Sequence, residues 1–158
     1  MGDIVLRATT DDDLDALFEM MRDPVAVRMA AFTPPDPDDR AAFDQSQARI
    51  RSSPEVRHRV VTVDGQVVGS IGSFVMDGDT QIAYWIDRAW WGRGVAGRAV
   101  AEFLREVTVE RPLFARAASD DVGSLAVLRK AGFHEIGREV SFANARQGEI
   151  EETILRLE

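Results

Sequence analysis

One stretch restricts the chain more than any other: residues 81–107, QIAYWIDRAWWGRGVAGRAVAEFLREV. Ile82, Tyr84 and Ile86 alternate with Gln81, Ala83 and Trp85, the period-two pattern of a strand. Trp90 and Trp91 lead into a glycine cluster, Gly92-Arg93-Gly94-Val95-Ala96-Gly97. Beyond it, Ala96, Ala99, Val100, Phe103, Leu104 and Val107 recur at helical spacing and give the helix one apolar stripe. A strand that passes through glycines into a helix presents unpaired backbone N–H groups at the positive end of the helix dipole. Such a row favours a phosphate or pyrophosphate. The stretch therefore predicts a turn that holds the pyrophosphate of a large anionic cofactor.

The rest of the composition narrows the setting. At 158 residues the chain fits a single domain, 1–158, long enough to bury a core. Hydrophobic residues at 45% and charged residues at 29% match an ordinary globular protein. No apolar run reaches the ~20 residues of a membrane span, and no segment reads as a signal peptide. The absence of cysteine excludes thiolate chemistry and cysteine metal sites, and with only two histidines, His58 and His134, no metal site is expected. These features lead us to expect a cytoplasmic protein with no membrane partner. A formal net charge of −8 argues against nucleic-acid binding, which needs a basic footprint. Five cations, Arg88, Arg93, Arg98, Arg129 and Lys130, fall in or near the two cofactor segments. That pattern suits an anionic cofactor with a cationic or amine substrate, although acidic bulk also serves solubility alone.

Read in order, residues 4–8 form a short first strand, and Thr10 with Asp13 makes a capping box. Leu14, Leu17, Phe18 and Met21 mark one buried helical face, and Pro24 ends that helix or lies just beyond its end. Asp36 before Pro37 reads as the N-cap of a second helix through Phe43, Gln47 and Ile50 to about Ser52. That helix is largely polar, so it should cover an edge or line a cleft. HRVVTV and QVVGSIGSFV are strands joined at Asp64-Gly65, and Asp77-Gly78-Asp79 turns into the Gln81 strand. LFARAAS is a further strand after Arg111-Pro112. Asp120 and Asp121 cap a helix with Val122, Leu125 and Leu128 as apolar positions, ending at Gly132. Residues 133–142 and 149–157 close the chain as strands around an open 143–148 hairpin loop. The layout β-α-α-β-β-β-α-β-α-β-β predicts a mixed α+β domain with four helices.

Gly92-x-Gly94-x-x-Gly97 also fits the dinucleotide fingerprint, with Asp120 and Asp121 at roughly the right distance beyond it. That reading requires the first glycine almost directly after the strand, whereas Arg88-Ala89-Trp90-Trp91 intervene. It also requires alternating strands and helices, whereas residues 57–87 supply hairpins. A P-loop fails because Arg98-Ala99 stands where Lys and Ser/Thr would be needed.

A second segment decides between cofactors. Residues 124–133, SLAVLRKAGF, form a capped helix closing on Gly-Phe. Together the two stretches resemble the GNAT superfamily of acetyl-coenzyme A-dependent N-acetyltransferases. The first is similar to that family's pyrophosphate signature, Gln/Arg-x-x-Gly-x-Gly/Ala, with Gly94 and Ala96 on its two small positions. The second is similar to its N-x-x-S-x-x-V-L-x-K-x-G-F helix, with Ser124, Val127, Leu128, Lys130, Gly132 and Phe133 in register. The resemblance spans the chain from LRATTDDDLDAL to GEIEETILRL, and the wording of residues 85–96 looks most like the ribosomal-protein-alanine N-acetyltransferase branch. Two positions depart from the pattern: Trp91 where Gln or Arg begins the first signature, and Asp121 where the second has Asn.

The resemblance implies a mixed, mostly antiparallel seven-stranded sheet with about four helices, splayed between its fourth and fifth strands. Acetyl-CoA, as cosubstrate, would lie in that slot against Tyr84, Trp85 and Ile86. Its pyrophosphate would meet Trp91, Gly92, Arg93, Gly94, Val95, Ala96 and Gly97, with Arg93 or Arg98 adding charge and Asp121 and Ser124 completing the site. The implied chemistry is attack of a primary amine, from a protein N-terminus or a small molecule, on the thioester. Ser124 is the implied proton donor to the departing thiolate, unless it only bonds backbone in its helix. A strand N–H near Tyr84 would stabilise the developing oxyanion. The base is open among Glu151, Glu152, Tyr84 and His58. Residues 26–53 and 143–148 would set the acceptor. A homodimer is compatible with the resemblance. The competing reading is a non-catalytic acyl-CoA-binding or sensing module.

Overall fold

A computed structural model of the protein describes residues 2–107 and 110–158. Seven strands form one sheet in the order β1-β2-β3-β4-β5-β7-β6. The strands are β1 (Ile4–Arg7), β2 (Arg57–Val63), β3 (Gln66–Met76), β4 (Asp79–Ile86), β5 (Leu113–Ala118), β6 (His134–Ala143) and β7 (Gly148–Leu157). The helices are α1 (Leu14–Met21), α2 (Pro24–Ala30), α3 (Arg40–Ser52), α4 (Val95–Glu106) and α5 (Val122–Lys130). The expected seven-stranded α+β sheet is present, with five α-helices among the described residues in place of four.

The first four strands form an antiparallel meander. Both tight turns place an aspartate and then a glycine at positive φ: Asp64 at 49° and Gly65 at 84°, Asp77 at 52° and Gly78 at 83°. Two consecutive residues of that hand match the twist of an antiparallel ribbon, which explains the hairpin signal in the sequence. β4 and β3 pair along their full length, Gly69 opposite Ile86 to Met76 opposite Asp79. Gly69 permits that close approach, since a Cβ there would press into the Trp85 carbonyl.

On its other edge β4 runs parallel to β5, but the register holds only at Thr80 with Leu113 and Gln81 with Phe114. From Ile82 onward the two strands part. β5 instead pairs with β7 along its whole length. The sheet is therefore split in the middle while both halves remain hydrogen-bonded within themselves.

Strand alternation gives the sheet two apolar faces. Val61, Val63, Val68, Ile71, Ile82, Ile86, Ala115 and Leu155 meet α4 and α5 through Val95, Ala99, Val100, Phe103, Leu125 and Leu128. On the opposite face Val60 packs with Leu17 and Met20 of α1, flanked by Phe43 and Trp85. A smaller cluster joins Ala31 at the end of α2 to Ala118 and Ala143.

Three local features add to or differ from what the sequence predicts. Pro24 lies just beyond the end of α1, as expected, but it also begins α2, a helix that was not expected; Asp23 is its N-cap and proline occupies the first turn, where no N–H partner is needed. Asp36 does not cap α3. Its carboxylate instead accepts from the Asp38 N–H within the preceding turn, and Asp39 is the cap, accepting from the Ala42 N–H. α3 packs on α1 and β2 and does not line the cleft described below. Val122 is not a core position; at 74% exposure it lies on the rim of that cleft.

Candidate active site

Where β4 and β5 part, the opening becomes a cleft of about 600 Å³. One wall is β4 itself, through Tyr84, Trp85 and Ile86. A second is the glycine turn, with Trp90, Trp91, Gly92, Gly94, Val95, Ala96 and Gly97. The third is the start of α5, residues 120–124 and Val127, and the fourth is α2, through Ala26, Met29 and Ala30.

The glycine turn is built as its sequence requires. Gly92 and Gly94 have φ of 74° and 78°, and Gly94 is the N-cap of α4. Only glycine enters that left-handed region freely. The Arg98 N–H is the first to bond within the helix, to the Gly94 carbonyl. Val95, Ala96 and Gly97 precede it and have no intrahelical acceptor. A Cβ built on Gly92, Gly94 or Gly97 would meet no atom within 4 Å, so the surface beside these amides is open. The indole N–H of Trp91 donates to the Ile86 carbonyl at 2.8 Å and ties the turn to the end of β4. Arg93 does not line the cleft; its guanidinium lies 4.9 Å from the centre of the Trp90 ring. Arg98 donates to the Gly2 carbonyl.

At the other end of the cleft, the Tyr84 hydroxyl and Ser124 Oγ are 2.8 Å apart. Strand alternation turns Tyr84 toward α5, and Ser124 stands in the first turn of that helix because Asp121 caps it, accepting from the Ser124 N–H at 3.2 Å. The Ser124 hydroxyl therefore engages a side chain from another element, not the backbone of its own helix. Burial pushes the Tyr84 phenol up to about 12, opposed in part by the Ser124 hydrogen bond, with a lesser upward contribution from the Asp121 charge. At neutral pH Tyr84 is a proton donor and not a base.

The other side chains considered for acid–base work lie elsewhere. His58 Nδ1 is 2.9 Å from the Thr9 hydroxyl, and burial lowers its pKa, keeping it neutral. Glu151 is paired with Arg138 at 3.0 Å and Glu152 with Arg116 at 3.2 Å. None of the three lines the cleft. His134 is a half-exposed side chain on β6, 3.7 Å from Glu158.

α2 is the wall that residue spacing did not reveal. It is held by Arg88, whose Nε donates to Asp23 at 2.6 Å, and by Trp85, whose indole donates to the Met20 carbonyl at 3.2 Å. Across the cleft Arg146 forms a two-pronged pair with Asp120, at 2.7 and 3.0 Å, and donates Nε to the Arg28 carbonyl.

The profile of the acetyltransferase (GNAT) domain matches residues 3–134. The chain belongs to the GNAT acetyltransferase family. No curated protein matches it in sequence. Among solved structures, this GNAT chain is similar to the ribosomal-protein-alanine N-acetyltransferase from Brucella melitensis, with a TM-score of 0.73, 22% identity and coverage of 96% and 98% of the two chains. It is similar to the spermidine N-acetyltransferase from Vibrio cholerae in complex with CoA and spermine, at TM-score 0.76, 15% identity and coverage of 97% and 95%. It is also similar to a phosphinothricin acetyltransferase from Sinorhizobium meliloti in complex with acetyl-CoA, at TM-score 0.80, 16% identity and coverage of 97% and 86%.

As a GNAT enzyme the protein is an acetyl-CoA-dependent acyltransferase, and its cleft fits that cosubstrate. The free edge of β4 beyond Gln81 and the glycine turn with its open N–H groups border the same largely apolar cleft. Among the described residues no cationic side chain lines the cleft, and the N-terminus of α4 faces it with its positive end.

Proposed function

We propose that this acetyltransferase passes the acetyl group of acetyl-CoA to a primary amine, with Tyr84 and Ser124 as its proton-donating pair. The observation that carries the reading is the 2.8 Å contact between those hydroxyls at the inner end of the cleft. Backbone of Tyr84–Ile86 would hold the pantetheine as an added strand is held. The N–H groups of residues 91–97 would hold the pyrophosphate. Bound acetyl-CoA supplies an activated acetyl group. The protein's part is to position the amine, exclude water and deliver a proton to the departing sulfur. Tyr84, protonated at neutral pH, can pass its proton directly or through Ser124, and the pair regains that proton from the nitrogen as the amide forms.

The acceptor would enter past α2 and the 143–148 loop. Ala26, Met29 and Ala30 line the cleft, and Arg146 of that loop binds both Asp120 and α2. This supports assigning acceptor choice to these two segments, without α3. An N-terminal alanine peptide and a polyamine both offer the required amine.

Thiol release from acetyl-CoA, followed over peptides with free N-termini, polyamines and amino acids, tests the reading. We expect amine-dependent release with at least one of these classes. Tight acetyl-CoA binding with no turnover on any amine would instead mark a non-catalytic binding module.

A further inference from the structure

The acid side of the reaction has a pair of hydroxyls, yet of the bases suggested by sequence only Tyr84 lines the cleft, and it is protonated at neutral pH. The cleft's charged lining is limited to Asp120 and Asp121. Asp120 is neutralised by Arg146, which holds both of its oxygens. Asp121 is different. Its Oδ1 accepts from the Ser124 N–H, and among the described residues its Oδ2 has no hydrogen-bond or ion-pair partner. It is only partly exposed and stands one helical turn from the Tyr84–Ser124 pair.

We infer that Asp121 receives the acceptor: its free carboxylate oxygen binds the substrate ammonium and takes its proton. This rests on the acetyl-transfer reading above. The ammonium gives one proton to Asp121, which frees the nitrogen lone pair. Nitrogen then bonds to the acetyl carbon, the carbon–sulfur bond breaks, and the sulfur takes its proton from the Tyr84–Ser124 pair. The second proton leaves the nitrogen as the amide forms and re-protonates that pair. The net products are the amide, the free thiol and one proton released from Asp121 to solvent.

The surroundings favour this assignment. Burial and the neighbouring Asp120 charge push the Asp121 carboxyl up from its ordinary value, opposed by the Ser124 N–H and the more distant Arg146. A carboxylate so placed accepts a proton more readily than one in water. The Asp121 charge also contributes to raising Tyr84. Once Asp121 is protonated, that contribution disappears and Tyr84 becomes the better donor at the stage when the sulfur needs a proton. Taking up the proton also removes a negative charge from a site where further negative charge must develop.

The test is D121N, which keeps an oxygen to accept from the Ser124 N–H and so preserves the helix cap. The probes are a short peptide with a free N-terminal alanine, and spermidine. For the wild type, kcat/KM should be flat with pH between the Asp121 and the amine pKa values. For D121N it should rise about tenfold per pH unit up to the amine's own pKa, because only neutral amine reacts. At neutral pH kcat/KM should be lower by ~10²-fold, with KM for the amine raised, and with acetyl-CoA affinity and Tm retained. A D121N enzyme with wild-type rate and an unchanged pH profile would overturn the assignment while leaving acetyl transfer intact. Parallel loss of acetyl-CoA affinity and Tm would make Asp121 a structural cap and also overturn it. Absence of wild-type turnover on every amine tried would remove the acetyl-transfer reading and this one with it.

Discussion

At the scale of single residues, Tyr84 and Gly94 carry the most exposed commitments. Replacing Tyr84 by Phe removes the hydroxyl 2.8 Å from Ser124 Oγ and leaves the ring. We expect kcat to fall by ~10²-fold with acetyl-CoA affinity little changed, read by steady-state kinetics and by quenching of Trp85, Trp90 and Trp91 fluorescence. An equal loss in binding would show that Tyr84 positions the cosubstrate and does not donate the proton. Gly94→Ala forces a Cβ onto a residue at φ 78°, at a cost of about 1–2 kcal/mol, and places a methyl group over the open amides of the turn. Both Tm and acetyl-CoA affinity should drop; unchanged affinity would take the pyrophosphate away from this turn. Gly94 was legible as part of a glycine spacing, whereas Tyr84 entered through strand alternation and through the resemblance. The missing base was not legible. His58, Glu151 and Glu152 are ordinary candidates by residue type, and only tertiary placement shows His58 against Thr9 and both glutamates held by arginines.

At the scale of elements, the strongest sequence signals were those with a local cause. The Asp-Gly hairpins, the α4 stripe and the Gly132 stop, at φ 105°, all depend on neighbouring residues, so the meander and the central helix could be read directly. α2 was missed because proline is compatible both with the end of one helix and with the first turn of the next, and the helix that Pro24 opens is only seven residues long. Asp39 displaced Asp36 as a cap because Asp36 is engaged by the Asp38 N–H. Val122, an apolar position of α5, stays exposed because a helix end over a cleft leaves its first apolar side chain uncovered. Two predictions follow at this scale. Phe103 on α4 is fully buried in the larger core, so Phe103→Ala should cost about 3–5 kcal/mol in urea unfolding; a loss under 1 kcal/mol would mean that α4 is not anchored there. Asp13 is buried and held by both nitrogens of the Arg7 fork, first through those hydrogen bonds, which bring its pKa down to about 2. A depressed carboxylate pKa stabilises the fold above the unfolded value and loses that contribution as pH falls toward the folded one. Asp13→Asn should therefore cost about 2 kcal/mol at neutral pH, and the gap from wild type should narrow steadily below pH ~4. A gap independent of pH would assign the loss to packing.

At the scale of the whole molecule, function follows from the division of one sheet. The first half, β1–β4, is held by antiparallel ladders, two of them closed by hairpin turns, and the second, β5–β7, by its own antiparallel ladders. The two are paired at only two residue pairs. Past that seam β4 keeps a free edge and the Tyr84 hydroxyl, the glycine turn supplies N–H groups, and the start of α5 supplies the Ser124 hydroxyl and the Asp121 carboxylate. Residue patterns identified each of these parts, whereas the splay itself entered only through resemblance, because strand separation leaves no mark on local spacing. The most direct measurement is a crystal structure of the protein with coenzyme A. The pyrophosphate is predicted on the amides of residues 92–97, with the sulfur beside the Tyr84 and Ser124 hydroxyls and the acceptor side open toward Asp121. Coenzyme A bound outside the β4–β5 opening, or with its sulfur remote from Tyr84 and Ser124, would contradict the account.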